Sequence, residues 1–219
     1  MEYGLYVVTD EKLSNGLTHV EIARRAIAGG ADVVQLRDKT CDCDYFHKSA
    51  AEVRDIARAA GVPFIVNDRL DVALQSGADG VHLGQDDMPL KFARRVAPKG
   101  FIIGISAGTL QEALDAERDG ADYVGLGPVF PTSSKNDAGE ACGLALLRDA
   151  RDRLSIPIVA IGGIGAGNAA EVIAAGADGI AVISAVVSQD DVTAAARNLK
   201  EIIHGARKSR DLQDSGRDI

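Results

Sequence analysis

The sequence has no tryptophan, and phenylalanine and tyrosine make up only 4% of its 219 residues. It has three cysteines, and Cys41 and Cys43 are separated by a single residue, with Cys142 far along the chain. This odd number and spacing argue against a disulfide framework and against a zinc site, so a reducing cytoplasm is the expected compartment. No apolar run comes near the ~20 residues of a membrane span, and no signal peptide is visible.

The chain also lacks an excess of basic residues. Its 24 Lys and Arg against 32 Asp and Glu give a net charge of −8 and a pI near 5.0. This balance argues against binding to nucleic acid or to an anionic membrane surface. A small anionic substrate is still compatible with it, provided that a local basic cluster or a metal ion receives the anion.

Several common catalytic patterns are missing as well. The G-x-G-x-x-G fingerprint of a dinucleotide-binding fold is absent after the first predicted strand. No Ser-His-Asp order is apparent, and no lysine lies inside a predicted strand, where a Schiff base would be expected. His82 does lie inside a predicted strand, and a packed core histidine is the favoured interpretation. His19 is expected on the surface of a helix.

What the sequence does have is one tripeptide, Gly-Ala-Asp, in four copies at residues 30–32, 77–79, 120–122 and 176–178. Each copy follows an alanine-rich segment of helical character and precedes a short apolar run. The glycine suits the left-handed position that ends a helix. The aspartate side chain is predicted to bond to nearby backbone in the turn. Each apolar run is then predicted to be a buried strand.

Eight apolar runs are predicted to be strands. They cover residues 4–8, 33–36, 64–66, 80–83, 101–105, 123–126, 158–161 and 179–182. Thr18-x-x-Glu21 and Thr109-x-x-Glu112 indicate capping boxes that open two of the intervening helices. Apolar, β-branched strands alternating with helices indicate a parallel sheet covered by helices. We therefore predict an α/β protein with one domain, a (β/α)8 TIM barrel over residues 1–205, and a disordered polar tail over 206–219.

Polar residues follow most of the predicted strands, at the barrel end where such folds carry their active sites. Gly162 and Gly163 follow the seventh strand, and Ile183 and Ser184 end the eighth. Barrel enzymes often bind phosphate between these two loops through backbone N–H groups. The alternative is that the glycines only make tight turns.

Two carboxylates follow the adjacent third and fourth strands. Asp68 and either Asp86 or Asp87 would face one cleft and repel each other unless a cation or a proton lies between them. Such a pair suits Mg²⁺, which commonly takes one or two carboxylates together with substrate phosphates. The alternative is that Asp68 pairs with Arg69 or caps the next helix, and spacing does not decide between Asp86 and Asp87.

Three cations follow the second and sixth strands. Arg37 and Lys39 alternate at one strand end, and Lys135 lies in a loop rich in Thr and Ser. In an acidic protein, three cations directed at one face suit a second and larger anion, such as a diphosphate. The alternative is surface solubility or salt bridges to acids such as Asp38 and Glu140.

Five sequence blocks, in order along the chain, resemble the motifs of one enzyme family. They are VQLRDK at 34–39, VNDR at 66–69, VHLGQDD at 81–87, GLGPVFPT at 125–132 with Lys135, and VAIGGI at 159–164. The likeness extends from Tyr6 to Ala185, nearly the whole chain. On these residues the chain resembles the thiamine-phosphate synthase family, also known as thiamine-phosphate pyrophosphorylases.

The resemblance implies a cytoplasmic transferase of thiamine biosynthesis. Such an enzyme joins 4-amino-2-methyl-5-pyrimidinylmethyl diphosphate to a thiazole phosphate, giving thiamine phosphate and diphosphate. By resemblance, the residues that hold the pyrimidine diphosphate are Gln35, Arg37, Lys39, Asn67 and Lys135. The Mg²⁺ ligands are Asp68 and Asp87, and Ser106 contacts the pyrimidine. The thiazole-phosphate pocket is lined by Thr132, Ser134, Gly163, Ile183 and Ser184. The expected catalytic residues are Arg37, Lys39, Ser106 and Lys135.

One departure and three alternatives accompany the resemblance. The family's usual Thr-x-Thr-Lys loop reads Thr132-Ser-Ser134-Lys135 here, which keeps the hydroxyl and loses a methyl group.

A thiazole-phosphate tautomerase of the same fold would need neither the acids nor the diphosphate cations. A non-catalytic phosphate-ligand sensor would not need a pair of metal ligands. A sugar-phosphate isomerase or lyase would want an acid or base inside the barrel. Small-molecule substrates are the expected partners, and a homo-oligomer is left open.

Overall fold

The computed structural model describes residues 2–134 and 139–215. Eight parallel strands close into one barrel in chain order, and β1 pairs with both β2 and β8. The strands are β1 (Leu5–Val8), β2 (Val33–Leu36), β3 (Phe64–Asn67), β4 (Gly80–Leu83), β5 (Ile102–Ala107), β6 (Tyr123–Leu126), β7 (Ile158–Ile161) and β8 (Gly179–Val182). The predicted (β/α)8 TIM barrel is confirmed.

Helices follow the strands and cover the outside of the barrel. They are α1 (His19–Ala28), α2 (Cys43–Ala60), α3 (Leu70–Ser76), α4 (Leu90–Val96), α5 (Leu110–Arg118), α6 (Gly143–Arg151), α7 (Ala169–Ala174), α8 (Ser184–Val187) and α9 (Val192–Ser215). Most strand residues are buried on both faces, because side chains fill the inside of the barrel and the helices cover the outside. Within the described ranges, no helix is both long enough and apolar enough to cross a membrane.

The predicted strands are all present, and two of them run further than expected. Asn67 belongs to β3, and Ser106 belongs to β5 instead of following it. The reason is backbone pairing, since Asn67 lies opposite His82 and Ser106 opposite Gly125 in the parallel register. A polar side chain therefore ends each of these strands while its backbone still belongs to the sheet.

The glycines of the four Gly-Ala-Asp copies are left-handed as predicted, with φ between 70° and 111°. The aspartates act differently from the prediction. Each side chain accepts the backbone N–H of a residue at the start of the preceding strand, at 2.7–2.8 Å, and each aspartate N–H donates to the carbonyl of that same residue. The pairs are Asp32 with Leu5, Asp79 with Phe64, Asp122 with Ile103, and Asp178 with Ile158. We call these pairs the aspartate clasps.

The two predicted capping boxes differ. At Thr18 the box is complete, with the side chain of Thr18 accepting the N–H of Glu21 and the carboxylate of Glu21 accepting the N–H of Thr18. At Thr109 only the first half forms. The carboxylate of Glu112 accepts from Gly108 instead, at 2.7 Å.

The expected disordered tail is corrected for residues 206–215, because α9 continues through them to Ser215. Few apolar residues occur there, but Arg207 donates to the carbonyl of Asp178, and Arg210 donates to the carbonyls of Ile173 and Ala177. These contacts join the helix to the end of α7 and the start of β8. Residues 216–219 of the predicted tail lie outside the described residues.

Candidate active site

A cavity of about 720 Å³ opens at the carboxyl end of the barrel. Most of the predicted site residues line it, because the carboxyl ends of all eight strands meet there. Those lining it are Arg37, Lys39, Asn67, Asp68, Asp87, Ser106, Thr132, Ser134, Gly163, Ile183 and Ser184. Gln35 is not among the lining residues, and Lys135 lies outside the described residues.

The carboxylates of Asp68 and Asp87 contact each other at one side of the cavity. Partial burial, together with the hydrogen bond and the negative charge of Asp87, raises the pKa of Asp68 to about 6. Asp87 Oδ2 is fixed by the N–H of Gly84 at 2.6 Å, whereas Asp86 is exposed. Of the two candidates for the partner of Asp68, Asp87 is thus the one that the fold brings to it.

Asp68 also has an unusual backbone conformation, with φ of 60°. Among the described residues, Asp68 is the single non-glycine residue with a positive φ. Backbone strain of this kind is common at functional sites. Asp tolerates the left-handed region better than most residues because its short side chain can hydrogen-bond locally. The turn directs the chain from β3 into α3 immediately beside the cavity.

The donor atoms around Asp68 and Asp87 fit Mg²⁺. Within the described residues, no three His, Cys, Asp or Glu side chains converge as a metal cluster. A pair of carboxylates facing a cavity leaves the remaining positions of an octahedral ion to water and to phosphate oxygens, which is how Mg²⁺ is usually held. Burial and the nearby carboxylate of Asp87 together raise the pKa of Asp68, and two such close carboxylates favour either a shared proton or a cation between them.

Arg37 and Lys39 lie beside this acid pair. Arg37 is only 8% exposed, and its Nη1 donates to Asp10 Oδ2 at 3.2 Å. Lys39 Nζ is 3.9 Å from Asp68 Oδ2, and its side chain is half exposed. Asp10 and Asp68 thus lie beside these cations, whereas Asp38, named in the alternative interpretation, contacts His19.

Sequence reasoning missed a buried cluster behind Arg37. His19, expected at the surface, is fully buried, with Nδ1 2.8 Å from Thr9 Oγ1 and Nε2 3.4 Å from Asp38 Oδ2. Burial of Asp38 opposes its ionisation, but hydrogen bonds from Thr40 and His19 hold the pKa of Asp38 below its usual value. The sequence feature that could have indicated this cluster is the polar pair Thr9-Asp10, directly after β1. The cluster fixes the loop that carries Arg37 and Lys39.

A chain of hydrogen bonds runs under the cavity through the inside of the barrel. His82 Nε2 lies 2.9 Å from Ser106 Oγ, and His82 Nδ1 lies 2.9 Å from the Tyr123 hydroxyl. That hydroxyl is 2.9 Å from the hydroxyl of Tyr6, which accepts from Gln35 Nε2 at 2.8 Å. We call these five side chains the floor chain. Gln35, 3% exposed, lies at the end of the floor chain opposite Ser106, and its contact with the pyrimidine diphosphate stays a prediction.

The loops after β6, β7 and β8 meet on the other side of the cavity. Ser134 Oγ lies 2.9 Å from Ser184 Oγ, and α8 begins at Ser184. Gly163 has φ of 64°, and a Cβ there would come within 2.6 Å of the Pro131 carbonyl oxygen. Packing against the β6 loop therefore requires this glycine whether or not it also approaches a phosphate.

Known proteins resemble this chain over most of its length. A family model described as thiamine monophosphate synthase matches residues 5–186. The thiamine-phosphate synthase of Methanocella arvoryzae is 75% identical over 209 residues, covering 95% of this chain and 99% of that protein. The thiamine-phosphate synthase of Methanoculleus marisnigri is 58% identical over 207 residues, covering 94% and 98%.

A solved structure gives the same result. The thiamine phosphate pyrophosphorylase of Pyrococcus furiosus superimposes with a TM-score of 0.87 and 45% sequence identity, covering 93% of this chain and 96% of that one. The resemblance drawn from five short blocks is thereby confirmed over the whole barrel. The chain belongs to the thiamine monophosphate synthase family and is a transferase of thiamine biosynthesis.

Proposed function

We propose that the enzyme joins 4-amino-2-methyl-5-pyrimidinylmethyl diphosphate to a thiazole phosphate, releasing diphosphate and forming thiamine phosphate. The observation that carries this proposal is the division of the cavity. Cations and paired acids follow β2 to β4, hydroxyls and glycines follow β6 to β8, and Ser106 on β5 lies between them. In a closed barrel these two sets of strands lie on opposite sides, so one cavity offers two separate anion sites.

The first site is suited to the diphosphate. Arg37 and Lys39 provide positive charge where the leaving group would develop negative charge, and Arg37 can form two parallel hydrogen bonds to phosphate oxygens. Asn67 adds an amide, and Lys135 is assigned to this site from the sequence alone. Asp68 and Asp87 would hold Mg²⁺, which when bound would neutralise phosphate charge.

The second site is suited to the thiazole phosphate. Ser134 and Ser184 offer hydroxyl groups at 2.9 Å from one another, and Ser184 is the first residue of α8. Phosphate sites of TIM barrels commonly combine the loops after strands seven and eight with a short extra helix. Thr132, Gly163 and Ile183 would complete the walls of the pocket.

The chemistry asks little acid–base work of the protein. The bond between the pyrimidine methylene carbon and the diphosphate oxygen breaks, and the electron pair leaves with the diphosphate. The resulting cation is stabilised by the amino group of the pyrimidine ring, and the thiazole nitrogen donates its electron pair to the methylene carbon. Holding both partners in line can supply roughly 7–11 kcal/mol of the barrier.

The first test is an assay of diphosphate release with both substrates, with each substrate alone, and with a chelator. We expect release only with both substrates and Mg²⁺, and thiamine phosphate as the product. Tight binding of the thiazole phosphate without release would favour the tautomerase or the sensor. Release that is unaffected by the chelator would remove Mg²⁺ from the proposal.

The second test concerns the leaving-group cation. Arg37→Ala is expected to lower kcat/KM for the pyrimidine diphosphate by about 10²–10³-fold, the usual effect of removing one group that stabilises a developing anion. The matched control is Arg95→Ala, because Arg95 is an exposed arginine on α4. Equal activity of the two variants, both folded, would contradict the role given to Arg37.

A further inference from the structure

The floor chain has a direction that follows from its first member. Gln35 Nε2 can only donate, and it donates to the hydroxyl of Tyr6. Only one order then gives both hydroxyl protons an acceptor among these side chains: Tyr6 donates to Tyr123, and Tyr123 donates to His82 Nδ1. His82 therefore accepts at Nδ1 and carries its proton on Nε2, from which it donates to Ser106 Oγ.

Two further observations support this order. Burial raises the pKa of the Tyr6 and Tyr123 hydroxyls far above the usual value, so both tyrosines keep the proton that each must pass on. Ser106 lines the cavity, so a serine that accepts from His82 has its own proton left for whatever lies there. The chain thus connects a fully buried amide to the surface that a substrate touches.

The barrel makes room for these rings by omitting two side chains. A Cβ on Gly104 would overlap the ring of Tyr123, and a Cβ on Gly125 would come within 2.9 Å of His82 Cε1. The ring of Tyr3 packs on that of Tyr123, with centroids 4.8 Å apart. The two rings are therefore held in place by close packing as well as by their hydrogen bonds.

We propose that Tyr6, Tyr123 and His82 are positioning residues that fix Ser106 as a hydrogen-bond donor. Held in this way, Ser106 selects an unprotonated ring nitrogen of the pyrimidine and not the amino group of that ring. This inference rests on the proposed function, since it takes the pyrimidine to be the group above Ser106. A serine free to rotate would accept from an amino group as readily as it donates to a ring nitrogen. The chain removes that choice and so fixes the orientation of the ring.

The direct test reads the tautomer of His82 without any substrate. In protein with ¹⁵N-labelled histidine, we expect His82 to be neutral with its proton on Nε2. Gln35→Glu replaces the donor by a carboxylate and should move the proton to Nδ1. A proton on Nδ1 in the parent protein would mean that the chain runs in the opposite direction, and that result would overturn the inference.

The functional test is a double-mutant cycle. Tyr123→Phe removes one hydroxyl and should lower kcat/KM for the pyrimidine diphosphate about tenfold, while KM for the thiazole phosphate stays unchanged. If Tyr123 acts through Ser106, Tyr123→Phe combined with Ser106→Ala should be no worse than Ser106→Ala alone. Losses that multiply would indicate a purely structural effect and would contradict the inference.

Tyr3→Phe is the matched control. Tyr3 is buried and packs on the ring of Tyr123, but its hydroxyl makes no hydrogen bond to the described residues. The activity of the Tyr3→Phe variant should therefore stay within about twofold of the parent. If Tyr123→Phe does not fold, Tyr6→Phe breaks the chain one step further from Ser106 and should show the same coupling. A confirmed tautomer without diphosphate release would refute the proposed function and leave the direction of the chain intact.

Discussion

Asp68 combines two unfavourable features at one residue, a left-handed backbone and a carboxylate pressed against that of Asp87. Neither feature helps the metal-free protein to fold. The proposed Mg²⁺ would account for both, because the turn brings the second carboxylate to the first and a cation between them would remove their repulsion. The site is therefore expected to be less stable without metal than with it.

This leads to a pH-dependent prediction for the metal-free protein. The pKa of Asp68 is raised to about 6 in the folded protein, above its ordinary 3.8, so the folded state holds this proton more tightly than the unfolded state. The resulting stabilisation is complete below about pH 4 and is lost as the pH rises through 6. With chelator present, the stability advantage of Asp68→Asn over the parent should be about 1–2 kcal/mol larger at pH 8 than at pH 5.

Urea unfolding at the two pH values measures this difference. Asp86→Asn is the matched control, since Asp86 is an exposed acid next to the pair and should show no such dependence. Mg²⁺ should stabilise the parent protein and not the Asp68→Asn variant. A difference between the Asp68→Asn and parent proteins that does not change with pH would contradict this account.

At the scale of single elements, the clasp at Asp32 makes the strongest set of contacts. Its carboxylate accepts the N–H of Leu5 at 2.7 Å and pairs with Lys200 of α9 at 2.5 Å, with the side chain only 16% exposed. One residue thus joins β1, the turn before β2 and the last helix. Losing it would leave a strand N–H without its acceptor and a lysine without its partner.

We therefore expect Asp32→Ala to lower the free energy of unfolding by about 2 kcal/mol. Asp32→Asn keeps an acceptor for Leu5 and should recover part of that loss. Asp149→Ala is the control, because Asp149 is exposed on α6 and should change stability by less than about 0.5 kcal/mol. Chemical denaturation of the three variants tests this, and equal stabilities would show that the clasp contributes nothing.

The elements themselves could be predicted from sequence because their signals are local. Apolar runs of four residues, left-handed glycines and the Thr18 capping box each depend on neighbours within one turn, and the structure confirms them. The partners of the clasp aspartates lie 15–27 residues earlier, so no local pattern reveals them. The prediction that these aspartates bond within their own turn was therefore wrong, because each accepts from a backbone N–H of the preceding strand.

The same distinction applies to the site. Barrel topology brings strand ends together, so the residues that follow the strands could be assigned to one cavity from their positions in the sequence. The burial of His19 and the linkage of Gln35 to His82 depend on which side chains point inward, which residue spacing does not give. The roles of the individual lining residues in binding and catalysis stay predictions.

On the scale of the whole molecule, α9 packs against α1, α7 and β1, next to the β1–β8 pair that closes the barrel. Arg210 donates to two carbonyls at the end of α7, and Arg207 contacts both Glu2 and the carbonyl of Asp178. Arg210→Ala should lower the thermal midpoint by a few degrees, corresponding to about 1 kcal/mol. Lys208→Ala is the control, because Lys208 is exposed on the same helix. Identical melting curves for the two variants would mean that this end of the helix contributes no stability.

The four aspartate clasps divide the barrel into quarters. Each clasp fastens one pair of strands, β1 with β2, β3 with β4, β5 with β6 and β7 with β8, and all four lie at the end opposite the cavity. The contact between Arg207 and Glu2 brings the two ends of the barrel domain together. A circular permutant opened between quarters, in the connection from β2 to β3 or from β6 to β7, would keep every clasp intact. The clasps therefore hold each pair of strands together at the end of the barrel opposite the cavity. The loops around the cavity can vary in sequence without disturbing these contacts.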